Sequence, residues 1–238
     1  MESANLIGRR VVTPYRLTHR GVYVMQNQPL FTPHRMGELD LPNRIVTAPL
    51  TRMGGRSHDH IRTTLQAEYY AQRASAGLII AEATTVSPEG LGWADTPGLW
   101  TKGQLRGWRR VTDAVHAAGG RIPAQLWHTG AISPPALREG AQPVAASNLD
   151  PGQVSFMRTG ARPTVTPRSP TRQDIRVTVA DFARVQGNAI DAGFDGVQIL
   201  AHDLNLISQF LNVATSLRPA SRWDARRTPM KLPRWRCL

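Results

Sequence analysis

Polar and aromatic side chains follow three short apolar segments, at points where a buried strand would leave the core. These residues are Thr51-Arg52, Glu82-Ala83-Thr84 and Gln125-Leu126-Trp127-His128. The carboxyl ends of parallel strands open onto one face, so polar groups at these ends are typical of a ligand-binding or catalytic site. The structural alternative is that Thr51, Gln125 and His128 satisfy loop backbones, and that Trp127 belongs to the core.

The elements that would position these residues follow an α/β pattern. From about Leu30, short runs rich in Val, Ile and Leu alternate with longer amphipathic stretches, as parallel strands alternate with covering helices. The four predicted strands are 44–50, 78–84, 121–127 and 195–200. The predicted helices are about 65–75, 102–118 and 178–192.

The second predicted helix has apolar residues at helical spacing. The residues that we expect to face the sheet are Leu105, Trp108, Val111, Thr112, Val115 and Ala118. Gly119-Gly120 and Gly193 follow the second and third helices, where glycine commonly ends a helix. The segment 128–177 is rich in Pro, Gly, Ser and Thr and is too long for a tight connection, so we expect a functional surface excursion or a small hairpin.

Composition limits the class of protein. The chain of 238 residues is 41% hydrophobic, and it has no run of about 18 apolar residues that would predict a membrane span. Its single cysteine, Cys237, excludes an intrachain disulfide framework and a CxxC metal cluster. We therefore expect a cytoplasmic protein with no bound metal. Residues 1–24 lack the continuous apolar region of a secretory signal.

The net charge of +12 lies mostly in the two terminal segments, 1–24 and 218–238. We interpret these as irregular basic ends and expect no nucleic-acid partner; binding of RNA or DNA through the ends is the alternative. The predicted domain is 25–217, with Met25 as a candidate start. A shifted reading frame would also explain the Arg-, Pro- and Trp-rich composition of 218–238.

Several sequence motifs, in order along the chain, resemble those of the Old Yellow Enzyme family over about residues 30–213. They are Leu-Phe-Thr-Pro at 30–33, Leu-Pro-Asn-Arg at 41–44, Ala-Pro-Leu-Thr-Arg at 48–52, Glu-Tyr-Tyr-Ala-Gln-Arg-Ala-Ser-Ala-Gly-Leu-Ile-Ile at 68–80, Gln-Leu-Trp-His-Thr-Gly at 125–130, Val-Thr-Pro-Arg at 165–168 and Ala-Gly-Phe-Asp-Gly-Val at 192–197. The resemblance implies a (β/α)8 barrel, of which this chain would contain about the first four βα units.

The same resemblance implies FMN as cofactor, NADH or NADPH as reductant and an electron-poor alkene as substrate. It places five residues against the flavin ring: Pro49, Leu50, Thr51, Ala83 and Gln125. Within this set, the Thr51 hydroxyl would bond near the O4/N5 edge and Gln125 would bond the pyrimidine edge. Trp93 and Trp127 would shape the substrate pocket; the alternative for Trp93 is a loop residue packed on the barrel rim.

The fourth strand departs from the family pattern. The two residues that bind the substrate's oxygen in the family fall on Leu200 and Asp203, and the proton-donating tyrosine falls on Asn205. Leucine donates no hydrogen bond, an ionised aspartate repels developing negative charge, and asparagine is not a general acid. A register shift that brings in His202 is the alternative. The sequence thus leaves open an impaired FMN-dependent oxidoreductase or an inactive relic.

Truncation is the second departure from the family pattern. Barrel phosphate sites commonly use loops after strands 7 and 8, beyond the four predicted strands. Half a barrel would also leave two open sheet edges, which favour self-association.

Overall fold

The computed structural model describes residues 28–54, 59–202 and 205–211. The interpretations of 1–24 and 218–238, and the residue Asp203, lie outside these ranges. The described chain begins with a 3-10 turn, Pro29–Phe31. An antiparallel hairpin follows, with β1 at His34–Met36 and β2 at Leu39–Leu41. Gly37 turns this hairpin with φ of 59°, a left-handed conformation that glycine adopts without strain.

Five short strands form the parallel part of the fold. They are β3 at Val46–Thr47, β4 at Leu78–Ile79, β5 at Ala83–Thr85, β6 at Ala124–Trp127 and β9 at Val197–Ile199. Strand β3 pairs with β4, and β5, β6 and β9 pair in that order. All four predicted strand regions contain strands, which are shorter than predicted.

The predicted strand 78–84 is divided into β4 and β5. Around this division the backbone bonds to both neighbours: Ile80 N donates to Thr47 O at 3.0 Å, and Ala81 N donates to Pro123 O at 3.0 Å. The polypeptide between β4 and β5 therefore changes its partner from β3 to β6. In the described residues β3 and β9 each pair with one strand only, so the sheet is open.

Three longer helices cover the sheet: α1 at Thr64–Ala71, α2 at Lys102–Ala117 and α3 at Arg172–Asp191. Helix α3 begins six residues before the predicted start because Thr171 and Asp174 form a capping box. Asp174 N donates to Thr171 Oγ1 at 3.1 Å, and Thr171 N donates to Asp174 Oδ2 at 2.7 Å, which satisfies two amides that the first turn leaves free.

The hydrophobic core lies between these helices and one face of the sheet. On α2, the predicted inward residues Trp108, Val111, Thr112 and Val115 are buried and Leu105 is half-buried. Ala118 was predicted to face the sheet and is exposed, because it is the residue that caps the end of α2. Fully buried residues of the sheet side include Ile79, Ala81, Ile122 and Ala124.

The segment after β6 contains the predicted hairpin. Its strands are β7 at Val154–Met157 and β8 at Gly160–Pro163, preceded by 3-10 turns at Gly130–Ile132 and Pro135–Leu137. The hairpin contacts the loop after β5: Ala94 N donates to Phe156 O at 3.1 Å, and Arg158 forms an ion pair with Asp95 at 2.8 Å. The hairpin thus packs beside the predicted substrate-pocket residue Trp93.

A fourth 3-10 turn lies at Pro88–Gly90, and a short helix, α4, at Leu206–Leu211. Gly119 and Gly193 follow α2 and α3 with φ of 82° and 83°, as predicted for helix ends. No helix among the described residues has the length and apolar character that crossing a membrane requires.

Candidate functional site

Side chains from three neighbouring strands form a row across the open sheet. Ala83 of β5 is in register with Gln125 of β6, which is in register with Gln198 of β9. Successive residues of a strand point to opposite faces. Since Ala124 and Leu126 belong to the core beneath the helices, Gln125 points to the other face, which in a closed barrel is the interior.

The amide of Gln125 is held within this row. Its Nε2 donates to Gln198 Oε1 at 2.6 Å, so the two amides join β6 to β9. Gln125 and Ala83 are both buried. Their orientation toward the interior agrees with the face expected for a ligand, while their burial means that only small parts of each side chain reach the surface.

Two tryptophans, Trp93 and Trp127, contact each other beyond Gln125 in the direction of the strand ends. Trp127 is two residues beyond Gln125 and in register with Thr85, whose Oγ1 accepts a 3.0 Å hydrogen bond from Trp127 Nε1. The ring of Trp93 stacks on that of Trp127 with centroids 4.8 Å apart. The indole nitrogen of Trp93 is buried and has no hydrogen-bond partner among the described residues. The structure therefore brings together the two predicted pocket residues.

Pro49, Leu50 and Thr51 follow shortly after β3. Pro49 is half-buried, Thr51 is exposed and the Leu50 side chain is 53% exposed. The next residue, Arg52, donates its backbone N–H to Glu82 Oε2 at 2.9 Å, which ties this segment to the residue before Ala83. The five predicted cofactor residues thus occupy two linked groups, one exposed and one buried.

The pairing of β9, which lies in the fourth predicted strand region, continues past its last residue. Leu200 N donates to Leu126 O at 2.9 Å, so the β6–β9 ladder extends one residue beyond β9. Leu200 lies two positions after Gln198 and therefore points to the same face. Asn205 is buried, and its Oδ1 has no partner among the described residues. His202 is exposed, and its carbonyl accepts a 2.8 Å bond from Asn205 N.

His128 has the structural role that was the alternative to a functional one. Its Nδ1 accepts a hydrogen bond of 3.1 Å from Gly130 N, and its side chain is buried. Burial, with a smaller contribution from the Arg138 cation, lowers the pKa of His128 to about 3. The imidazole is therefore neutral near pH 7 and supports the turn after β6.

A buried charged cluster behind the site was not predicted from the sequence. Arg62 and Glu82 are both fully buried, with Nη1 3.3 Å from Oε1. Tyr70 donates its hydroxyl to the same Oε1 at 3.3 Å and accepts Glu82 N–H at 2.9 Å. Burial, reinforced by the Glu82 charge, raises the pKa of Tyr70 well above its usual value, so the hydroxyl stays protonated. The polar residue Glu82 within an apolar strand was the available signal.

An open sheet of parallel strands, covered by helices and carrying polar side chains at the strand ends, corresponds to one half of a (β/α)8 barrel. A sequence model of the NADH:flavin oxidoreductase / NADH oxidase family matches residues 29–221. The chain belongs to this family, which includes the Old Yellow Enzymes.

Individual relatives agree with this assignment. Flavin oxidoreductase hxnT of Emericella nidulans is 40% identical over 189 residues, which cover 78% of this chain and 48% of the relative. 12-oxophytodienoate reductase 1 of Oryza sativa subsp. japonica is 38% identical over 187 residues, covering 77% and 47%. The chain thus spans about half the length of the curated relatives it matches.

Solved structures confirm the predicted partial barrel. The Old Yellow Enzyme homologue from Zymomonas mobilis superposes with a TM-score of 0.77 at 44% identity, over 81% of this chain and 54% of the other. Morphinone reductase gives a TM-score of 0.76 at 45% identity, over 82% and 53%. The fold is a mixed α/β partial barrel with an open sheet, equivalent to about half of the Old Yellow Enzyme barrel.

Proposed function

We propose that this chain carries the ring-binding wall of an FMN-dependent NAD(P)H oxidoreductase and reduces alkenes poorly. The observation that supports this most is the placement of Pro49–Thr51 next to the Ala83–Gln125 row, joined through Arg52 and Glu82. FMN, when bound, would accept hydride from NADH or NADPH and deliver it to an electron-poor alkene.

The chemistry of the wall fits an isoalloxazine ring. Leu50 offers an exposed apolar surface, and Thr51 offers an exposed hydroxyl that would bond the ring's O4/N5 edge. Gln125 offers an amide for the pyrimidine edge, already oriented by Gln198. A mostly apolar lining with a few oriented polar groups is typical of cofactor sites.

The substrate side of the same face would lack a hydrogen-bond donor at Leu200 and a general acid at Asn205. Leu200, at the sequence position of one oxygen-binding residue of the family, would have no donor to offer. Asn205 is buried and its amide is not an acid near neutral pH. Each missing donor typically lowers the rate about 10²- to 10³-fold. Trp93 and Trp127 would still shape a pocket for a small electron-poor acceptor.

Binding of FMN through its ring alone is a testable consequence. Phosphate sites in barrels are commonly built from loops after strands 7 and 8, and the described residues provide the first four strand positions. We therefore expect the purified chain to bind riboflavin and FMN with nearly equal dissociation constants, measured by quenching of flavin fluorescence. We also expect FMN to be lost on gel filtration.

The matched variants are Gln125→Leu, which removes the wall amide, and Gln173→Leu, which changes an exposed glutamine on α3. Only the first should weaken flavin binding. A chain that stays yellow with one FMN per molecule through gel filtration would contradict ring-only binding. Failure of the wild type to quench either flavin would contradict the proposed cofactor.

A second candidate function is association through the open sheet. Strand β3 exposes 48% of Val46, and the exposed fraction of Ile199 on β9 is 38%. Unpaired strand edges with apolar side chains pair readily with other chains. In this alternative the chain has no enzymatic role. Analytical ultracentrifugation would find assemblies, and a separate absorbance assay would find no flavin-dependent oxidation of NADPH.

A further inference from the structure

The carboxylate of Glu82 bonds to the backbone just after Thr51, and Glu82 itself is the chain neighbour of Ala83 in the other segment of the proposed flavin wall. Glu82 immediately precedes Ala83 and is fully buried at the division between β4 and β5. Its Oε2 accepts the Arg52 backbone N–H at 2.9 Å. Because Arg52 follows Thr51, one side chain connects the exposed hydroxyl segment with the buried Ala83–Gln125 row.

Within the part of the chain that the structure describes, the backbone around Thr51 has little other support. The parallel ladder between β3 and β4 ends at the pair Thr47 and Ile79, with Ile80 N donating to Thr47 O. Beyond that point, among the described residues, the bond from Arg52 to Glu82 is the hydrogen bond that holds the backbone of 48–52. The guanidinium of Arg52 also lies 5.0 Å from the centre of the Tyr69 ring.

The other carboxylate oxygen is fixed from the core side. Tyr70 donates to Oε1, and the Arg62 guanidinium lies at ion-pair distance from it. Arg62 in turn lies over the Trp108 ring, 5.6 Å from its centre. A buried carboxylate with a counter-ion and a phenol on one oxygen has a defined orientation, which directs Oε2 toward Arg52.

We propose that Glu82 is a positioning residue: its carboxylate sets the place of the Thr51 hydroxyl relative to Ala83 and Gln125, and thereby the affinity and reduction potential of a flavin in this site. The inference rests on the proposed FMN-binding function. Glu82 itself does not touch the ring; it acts through the backbone of Arg52.

The test compares two variants that both lack the buried ion pair. Arg62→Met with Glu82→Gln keeps an acceptor oxygen for Arg52 N–H, whereas Arg62→Met with Glu82→Leu removes it. Replacing both ionic partners avoids leaving a buried unpaired charge. In the flavin-free chain we expect amide hydrogen exchange at Arg52 to be about fivefold faster in the leucine variant than in the glutamine variant. This is the change in exchange rate that corresponds to losing the net stabilisation of one typical hydrogen bond.

The amide of Ile79, which bonds to Arg121 O at 2.8 Å in the core, is the internal control. It should exchange at the same rate in both variants if the change is local. Equal exchange at Arg52 in the two variants would overturn the proposed contact, whether or not the chain binds flavin. Faster exchange at both amides would mean general loosening and would equally overturn a local positioning role.

The second readout is the flavin itself. We expect the leucine variant to bind riboflavin about fivefold more weakly than the glutamine variant and to shift the bound flavin's reduction potential. In a Thr51→Val background both differences should disappear, because the hydroxyl being positioned is gone. Persistence of the differences in that background would refute positioning through Thr51. Absence of flavin binding in the wild type would refute the proposed function and the tuning of the reduction potential. The exchange rates at Arg52 alone would then decide whether the contact with Glu82 holds the backbone.

Discussion

Replacing Arg62 with methionine removes the counter-ion of the buried Glu82 carboxylate, and we expect a lower free energy of unfolding. Removing one partner of a buried ion pair typically costs about 3–5 kcal/mol. Two hydrogen bonds, from Tyr70 and from the Arg52 N–H, would remain to stabilise the carboxylate. Among the described residues no guanidinium nitrogen of Arg62 makes a hydrogen bond, so the variant loses no such bond. The lower end, about 3 kcal/mol, is therefore expected.

Urea unfolding followed by tryptophan fluorescence measures this loss. With a slope of about 2 kcal/mol per molar urea, the midpoint should fall by about 1.5 M. The matched control is Arg62→Met with Glu82→Leu, which buries no unpaired charge and should regain most of the loss. The reasoning is refuted if the single variant unfolds at the wild-type midpoint, or if the double variant is less stable than the single one.

Three further outcomes are expected. The hydrogen bond from Arg168 holds the pKa of Asp174 well below its usual range. The ionised carboxylate therefore stabilises the folded protein at pH values above the pKa of Asp174 in the unfolded chain, and this stabilisation is lost as the pH falls through the pKa in the folded protein. The urea midpoints of the wild type and of Asp174→Asn should accordingly converge in acid. Val46→Lys on the edge strand should reduce self-association in sedimentation velocity, and unchanged assemblies would count against edge pairing. Leu200→His should raise the rate of NADPH-dependent reduction of an electron-poor alkene at saturating flavin. The expected gain is about 10²-fold, the typical contribution of one donor to the substrate's oxygen. An unchanged rate would exclude the placement of this side chain next to that oxygen.

Local patterns predicted the elements whose causes are local. Apolar runs identified all four strand regions, and the glycines after α2 and α3 marked their ends. The start of α3 was missed because the signal was a capping pair, Thr171 and Asp174, upstream of the first apolar repeat. The exposure of Ala118 follows from its position at the helix cap, which periodicity alone does not show.

Non-local contacts account for what the sequence did not predict. The division of 78–84 depends on which neighbour each backbone amide meets, and those neighbours lie in β3 and near β6. The cluster of Arg62, Tyr70 and Glu82 joins a loop, a helix and the connection between β4 and β5, and no spacing rule connects them. Glu82 was visible as a polar residue in an apolar strand, but its partners became identifiable only in three dimensions.

At Leu200, where we expected the sequence to depart from the family pattern, the backbone keeps its pairing with β6. The residue continues the ladder on Leu126 and has the same orientation as Gln198, whose amide still meets Gln125 across β6 and β9. A strand that had lost its register would have lost this amide pair as well. The backbone pairing is therefore retained at this position, and for that reason a single substitution at Leu200 tests the proposal that a hydrogen-bond donor is missing there.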